Sequence, residues 1–128
     1  MAEPLVRVVG LDHIVLQCAD IEKSLAFYSE TLGLEPERVE DWRAGETFFP
    51  SVRITPTTII DLFPGAPDGK NLNHFCVVIE PADLEELAKK FPDANLAHGL
   101  FGAQGYASSL YVHDPDGNTV ELRCYPER

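Results

Sequence analysis

The sequence repeats itself at an offset of about 60 residues, and this repeat limits the folds that are open to the chain. The stretch LDHIVLQCADIEKSL, from Leu11, can be aligned with LNHFCVVIEPADLEEL, from Leu72. Both contain Leu-x-His, an apolar strand, Ala-Asp and an amphipathic helix. The repeat therefore predicts one domain of two similar modules, at about 8–63 and about 72–125, with a connector at about 64–71 inside the domain.

The two predicted helices are marked at both ends. Asp20 and Asp83 are suited to cap them, because a carboxylate accepts hydrogen bonds from the free amides of a first helical turn. An apolar stripe follows each cap, and it ends before a glycine in the first module and before a proline in the second. The helices are therefore expected at about 21–32 and about 84–91.

Each module closes on an apolar strand that carries one acid, Asp61 in TTIIDLF and Glu121 in NTVELRCY. The spacing from histidine to acid agrees, at 48 residues from His13 to Asp61 and 47 from His74 to Glu121. Weaker strand-like material precedes each closing strand, and HDPDGNT supplies the turn of the last hairpin. The predicted fold class is α+β, with two βαβββ modules.

His13, Asp61, His74 and Glu121 are candidate metal ligands, because they occupy equivalent strand positions in the two modules. Two imidazoles and one or two carboxylates suit Zn, Ni, Fe, Co or Mn. An acid buried alone is costly, and a shared cation removes that cost. In the alternative interpretation, core hydrogen bonds satisfy the histidines and the acids lie in solvent at the sheet ends. Agreement of all four positions across the repeat favours the metal.

Composition excludes several classes of partner. The net charge is −11 and the pI is about 4.6, whereas nucleic-acid and anionic membrane surfaces attract basic proteins. The sequence has no apolar run of the roughly 20 residues that span a bilayer, and MAEPLVRVVG lacks a signal-peptide layout. Cys18, Cys76 and Cys124 are expected to be reduced and mostly buried. These features predict a cytoplasmic protein with a small-molecule partner.

The motifs LDHIVL, IIDLF, LNHFCVVI and DPDGNTVEL resemble the vicinal oxygen chelate superfamily over almost the whole chain. That superfamily includes glyoxalase I, fosfomycin-resistance proteins, bleomycin-binding proteins, methylmalonyl-CoA epimerases and extradiol dioxygenases. The resemblance implies two βαβββ modules whose mixed sheet curves round a metal-binding concavity. It also implies one divalent metal per site (Ni, Zn, Mn, Co or Fe(II)) and a homodimer, since dimerisation usually completes the fold.

The resemblance carries the metal ligands over onto His13, His74 and Glu121. Asp61 stands where glyoxalase-like members usually have Glu, and its side chain is shorter. Direct coordination, contact through a water molecule and a role as catalytic base therefore stay open for Asp61.

The first hypothesis for function is a glyoxalase-like lyase or isomerase, which moves a proton next to a metal-chelated carbonyl. Its candidate catalytic residues are Glu121, the first choice as base, together with Asp61 and Tyr111. The second hypothesis is a fosfomycin-type transferase with a thiol co-substrate such as glutathione. Ser109 and Tyr111 match its Ser-x-Tyr-x-x-DPDG pattern, but Val15 stands where that group has Thr.

Two further hypotheses for function are a different enzyme on the same residues and a binding protein on the same fold. His13, His74 and Glu121 form the two-histidine, one-carboxylate set of Fe(II) ring-cleaving dioxygenases, although those enzymes are commonly longer. A non-enzymatic, bleomycin-like binding protein would use the fold without a metal.

Four residues are candidates for contact with the substrate: Ser109, Tyr111, Arg123 and Trp42. Ser109 and Tyr111 lie on the strand before Glu121 and are expected to face the concavity. Arg123 shares a strand face with Glu121, so it would bind a substrate anion or pair with an acid such as Asp61. Aromatic core packing is the alternative for Trp42.

Overall fold

The computed structural model describes residues 3–66, 69, 71–114 and 118–126, and within them the expected α+β class is confirmed. The chain forms two units, the first His13–Asn73 and the second Met1–Asp12 with His74–Arg128. The strands are β1 Val8–Cys18, β2 Glu35–Glu37, β3 Ser51–Thr55, β4 Thr58–Pro64, β5 Leu72–Ile79, β6 Asn95–Gly102, β7 Gly105–His113 and β8 Thr119–Cys124. The α-helices are α1 Ile21–Leu25, α2 Val39–Arg43 and α3 Leu84–Ala88.

In the first unit the strands run in the order β2-β3-β4-β1, with β1 parallel to β4 and the other pairs antiparallel. Asp20 caps α1 by accepting a hydrogen bond from the Lys23 amide at 3.1 Å. The helix continues as a π-helix over Ala26–Thr31 and stops before Gly33, whose φ of 77° suits a residue without Cβ. The extent predicted for this helix is confirmed, whereas α2 is an addition that the sequence did not predict.

The second unit repeats this topology in the order β5-β8-β7-β6, with β5 parallel to β8 and the other pairs antiparallel. Asp83 caps α3 by accepting from the amides of Glu85 and Glu86. The helix ends at Ala88, earlier than predicted, because residues 89–91 continue as turns with hydrogen bonds that span three residues.

Each unit packs its helix against one face of its own sheet. The first core contains the buried residues Cys18, Ile21, Leu25, Val52, Ile60 and Leu62. The second core contains Ile79, Leu84, Leu87, Leu110, Val112 and Leu122. Since side chains alternate along a strand, the opposite face of each sheet carries the polar residues described below. All three cysteines are free thiols, with Cys18 and Cys76 buried and Cys124 half-buried.

The predicted turns fall partly outside the described residues. This applies to residues 67, 68 and 70 of the connector and to residues 115–117 of the last hairpin. The hairpin is closed by Asp114 and Asn118, since Asp114 Oδ1 accepts from the Asn118 amide at 2.8 Å. Among the described residues, no helix has the length and apolar character needed to cross a membrane.

Candidate functional site

The first half-site contains His13 and Asp61, both in the first unit. Val15 on β1 is the register partner of Asp61 on β4. Since His13 lies two residues before Val15, its side chain points to the same face of the sheet as that of Asp61. His13 Nε2 lies 3.9 Å from Asp61 Oδ2, and only 6% and 11% of the two side chains are exposed. This half-site is therefore a nearly buried imidazole beside a nearly buried carboxylate.

The other oxygen of Asp61 is held by two neighbours. Ser51, its register partner on β3, donates a hydrogen bond to Oδ1 at 2.6 Å. Arg38 Nη2 donates to the same oxygen at 3.2 Å and also to Ser51 Oγ. Oδ1 is thus engaged, and Oδ2 is the oxygen that faces His13.

The second half-site contains His74 and Glu121, both in the second unit. Their strands β5 and β8 are parallel, and Cys76 is the register partner of Glu121. His74 Nε2 lies 3.1 Å from Glu121 Oε1, and the Glu121 side chain is fully buried. Oε2 accepts hydrogen bonds from Ser109 Oγ at 2.7 Å and from Arg123 Nη2 at 2.6 Å.

The two half-sites therefore share one plan, in which a serine and an arginine hold one carboxylate oxygen and the other oxygen faces a histidine. The sequence predicted the histidines and the acids but not Ser51 and Arg38. The repeat gave no signal for Ser51, because the register partner of Glu121 is Tyr111 rather than a serine. Arg38 follows the short strand β2, whereas the arginine of the second half-site, Arg123, lies on β8, so the two arginines do not occupy equivalent positions of the repeat.

A buried ionic cluster supports the second half-site. Arg123 is 4% exposed, and it donates to Glu121 Oε2 and to Asp12 Oδ1, the latter at 3.5 Å. Asp12 is fully buried and accepts a second hydrogen bond from the Tyr125 hydroxyl. Burial is the largest single influence on the pKa of Arg123 and would lower it, but the negative charge of Glu121 and the smaller contributions of its other neighbours together outweigh burial and raise that pKa. Arg123 thus pairs with two acids, and its contact with substrate stays a prediction.

Tyr125 gives this cluster a dependence on alkaline pH. Burial, and next the hydrogen bond to Asp12, raise the pKa of Tyr125 to about 12. Because the folded-state pKa lies above the ordinary value of about 10, the contribution of Tyr125 is complete below pH 10 and is lost as the pH rises towards 12. The stability advantage of the native chain over Tyr125→Phe should therefore shrink by about 2 kcal/mol across that range.

Urea unfolding of the native chain and of Tyr125→Phe between pH 9 and pH 12 measures this change. Tyr106→Phe is the matched control, since Tyr106 lies on β7 with 58% of its surface exposed. An advantage over Tyr125→Phe that stays constant up to pH 12 would contradict the assignment.

Tyr111 and Trp42 lie in different surroundings. The Tyr111 ring packs edge-on against the His74 ring, with 5.7 Å between centroids. Burial, and next the charge of Glu121, raise the pKa of Tyr111, so its hydroxyl stays protonated at neutral pH. Trp42 packs against the first core, on the sheet face that α1 covers. The structure therefore brings Tyr111 to the second half-site and does not bring Trp42 to the first.

The fold and its paired histidines and acids define a class of proteins built from βαβββ modules. The chain belongs to the glyoxalase/bleomycin resistance protein/dioxygenase superfamily, which it matches over residues 10–122. It is 25% identical over 131 residues to the glyoxalase domain-containing protein RDO1 of Mycosarcoma maydis, covering 92% of this chain and 69% of that protein.

A second relative is an enzyme by name. The chain is 28% identical over 134 residues to 3-methylcatechol 2,3-dioxygenase of Pseudomonas putida, covering 88% of this chain but 40% of the relative. Among solved structures, methylmalonyl-CoA epimerase from Mycobacterium tuberculosis superimposes with a TM-score of 0.60 at 16% identity, covering 98% of this chain and 94% of that one. This likeness shows the fold. The description of the superfamily itself names glyoxalases, bleomycin resistance proteins and dioxygenases, so its members differ in activity.

Proposed function

We propose that the chain is a divalent-metal-dependent enzyme of the glyoxalase type, which moves a proton next to the carbonyl group of a small molecule. The observation that supports this proposal is the shared plan of the two half-sites. In each, one carboxylate oxygen is held by a serine and an arginine while the other faces an imidazole nitrogen. Two imidazoles and one or two carboxylate oxygens are the donors that Zn, Ni, Co, Mn and Fe(II) take in proteins.

The distances divide the roles of the two acids. Glu121 Oε1 lies 3.1 Å from its histidine, whereas Asp61 Oδ2 lies 3.9 Å from His13. We therefore assign Glu121 as a ligand together with His13 and His74. The shorter Asp61 is assigned as the base, although Glu121 was the first choice from the sequence.

A divalent cation in this site would polarise the carbonyl oxygen and stabilise the negative charge that develops there. Asp61 Oδ2 would accept the proton from the adjacent carbon, since Oδ1 is engaged by Ser51 and Arg38. Arg38 and Ser51 would thereby fix the direction in which the carboxylate presents Oδ2. The protonated hydroxyl of Tyr111 would donate a hydrogen bond to the substrate from beside His74.

A ring-cleaving Fe(II) dioxygenase is the second candidate. Its support is the 28% identity to 3-methylcatechol 2,3-dioxygenase, together with the two-histidine, one-carboxylate donor set. The thiol-transferase hypothesis has less support, because Ser109 is fully buried and its hydroxyl is bonded to Glu121 and Arg123. The homodimer stays a prediction, which analytical ultracentrifugation of the purified chain tests.

Metal binding is the first experiment. The native chain is expected to bind one Ni, Zn, Co, Mn or Fe(II) ion per site, measured by dialysis and elemental analysis. His13→Ala and His74→Ala should each weaken metal binding by more than about 100-fold. Loss of a residue that only orients a metal ligand lowers metal affinity by about 10–100-fold, and loss of the ligand itself should lower it further. His113→Ala, on an exposed residue of β7, is the matched control. A native chain that binds none of these ions would refute the proposal.

The reaction is tested by screening each metal form against hemithioacetals of glutathione, fosfomycin with thiols, and catechols. Turnover of hemithioacetals with Ni or Zn is the expected result. If the chain turns over only catechols, and only in its Fe(II) form, the ring-cleaving dioxygenase replaces the glyoxalase-type enzyme as the proposed function.

A further inference from the structure

Arg38 has a conformation that its own backbone disfavours. It precedes α2 with φ 61° and ψ 18°, in the left-handed region that side chains with a Cβ seldom adopt. Glycine or asparagine would fill this position at a lower backbone cost. The arginine is therefore unexpected on backbone grounds, and the contacts of its guanidinium show what it can do there.

Among the residues that the structure describes, the Arg38 guanidinium uses only part of its hydrogen-bonding capacity. Nη2 donates to Ser51 Oγ and Asp61 Oδ1, which accounts for two of the five N–H donors of an arginine. Within the described part of the chain, Nε of Arg38 is buried and has no hydrogen-bond partner. A buried N–H without an acceptor is costly, and an anionic ligand would supply that acceptor. One third of the side chain, 34%, remains exposed, so a small molecule can approach it.

An aromatic wall lies beside this guanidinium. The Arg38 guanidinium carbon lies 4.9 Å from the centre of the Phe49 ring. The Phe63 ring is 4.9 Å from that of Phe49 and 5.2 Å from that of Phe48. Phe48 is 60% exposed although it is a large apolar residue. A ligand that pairs with Arg38 would thus meet apolar ring surface next to the charge.

Arg38 also lies next to the first half-site. Its Nη2 approaches Asp61 Oδ1 at 3.2 Å, while His13 Nε2 approaches Oδ2 of the same carboxylate at 3.9 Å. A small molecule whose anionic group is bound by Arg38 is therefore long enough to reach Asp61 Oδ2, the oxygen assigned as the base. In a chain with a net charge of −11, a fixed cation at this place would offset the repulsion of an anionic ligand.

We propose that Arg38, with Phe48, Phe49 and Phe63, forms a subsite that binds a carboxylate group of the substrate and the apolar group next to it, so that small arylalkyl carboxylic acids are ligands of this subsite. This proposal rests on the proposed function, because it places the substrate beside Asp61. A carboxylate fits better than a spherical anion, since the planar N–H fork of arginine matches two oxygens at once. The three rings favour an aromatic group over a short alkyl chain.

Calorimetric titration of the purified chain with phenylacetate tests the subsite without requiring turnover. Phenylacetate should bind the native chain, and the uncharged isostere phenylacetamide should bind at least about tenfold more weakly. Arg38→Gln should weaken phenylacetate binding by about tenfold or more, and Arg38→Lys by less, because lysine keeps the charge but not the fork. Arg43→Gln is the matched control, since Arg43 carries the same charge on α2 and pairs with Glu22 and Glu40.

Far-UV circular dichroism and thermal unfolding of each variant distinguish loss of the subsite from loss of the fold. Phe49→Leu tests the contribution of the aromatic wall in a chain that keeps Arg38. Equal binding of phenylacetate and phenylacetamide, or unchanged binding by a folded Arg38→Gln, would overturn the proposal. Titration before and after metal loading distinguishes its failure from that of the proposed function. If the chain binds phenylacetate but takes up no metal, the subsite is supported and the proposed metal-dependent activity is refuted.

Discussion

Replacement of Arg123 by alanine is expected to lower the free energy of unfolding by about 3–5 kcal/mol. Arg123 is the cation between two acids, Asp12 and Glu121, which are both fully buried. Its removal would leave two negative charges in a poorly solvated interior without the cation that bonds to both of them. Whole domains are stable by only about 5–15 kcal/mol, so this single change would leave the chain close to its unfolding limit. Urea unfolding at neutral pH measures the loss.

The control for this prediction is Arg7→Ala in the same unit. Arg7 pairs with Glu80 at 3.2 Å, but 71% and 57% of these side chains are exposed, and exposed pairs contribute at most about 1 kcal/mol. The triple variant Arg123→Met, Asp12→Leu and Glu121→Met removes all three charges together. If desolvation is the cause, it should be more stable than Arg123→Ala, because no buried charge is left without a partner. Equal effects of Arg7→Ala and Arg123→Ala would refute the role given to the cluster.

The repeat made the fold predictable because both modules bury one helix against one face of a sheet with the same strand order. In each module the residue two positions after the histidine is the register partner of the acid: Val15 pairs with Asp61, and Cys76 pairs with Glu121. Positions that are equivalent in the sequence are thus equivalent in the sheets. Face alternation then fixes which residues lie away from the helix, and this is why each histidine lies on the same face as its acid.

The groups that hold the acids were harder to predict, because they reach them across strands and loops. Asp12 directly precedes His13, yet its partner Arg123 lies 111 residues further along the chain. Ser51 and Arg38 contact Asp61 from an adjacent strand and from the residue before α2. Long-range side-chain pairing of this kind leaves no periodic signal in one sequence.

Helix ends show the same limit on a smaller scale. Pro92 only sets the furthest point that α3 can reach, and local turns end the helix at Ala88. Helix α2, with five residues, is too short to show an apolar period. The change from α- to π-helix at Ala26 follows from hydrogen bonds such as Leu32 N–H to the Phe27 carbonyl, which composition does not reveal.

The assignment of the two acids leads to opposite expectations for two conservative variants. Glu121→Gln removes a ligand, so metal affinity and turnover should both fall, with kcat lower by about 10⁴-fold. Asp61→Asn removes the base and keeps the three ligands, so the chain should retain its metal while kcat falls by about 10²–10⁴-fold. Glu37→Gln is the control, because Glu37 is an acid of the first unit that pairs with Arg53. Its kcat and metal affinity should stay at native values.

The measurement is elemental analysis of each dialysed variant beside its kcat and KM on the substrate that the metal screen identifies. Both acid variants keep the size of the native side chain, and Arg123 keeps Asp12 when Glu121 is replaced, so thermal unfolding should show folded protein in each case. If Asp61→Asn loses its metal while Glu121→Gln retains it, the roles of the two acids are reversed. If Asp61→Asn keeps both its metal and its kcat, Asp61 is neither ligand nor base, and Glu121 becomes the base that the sequence first suggested. Because the two half-sites differ by one methylene in the length of the acid, these variants test whether that difference separates the ligand from the base.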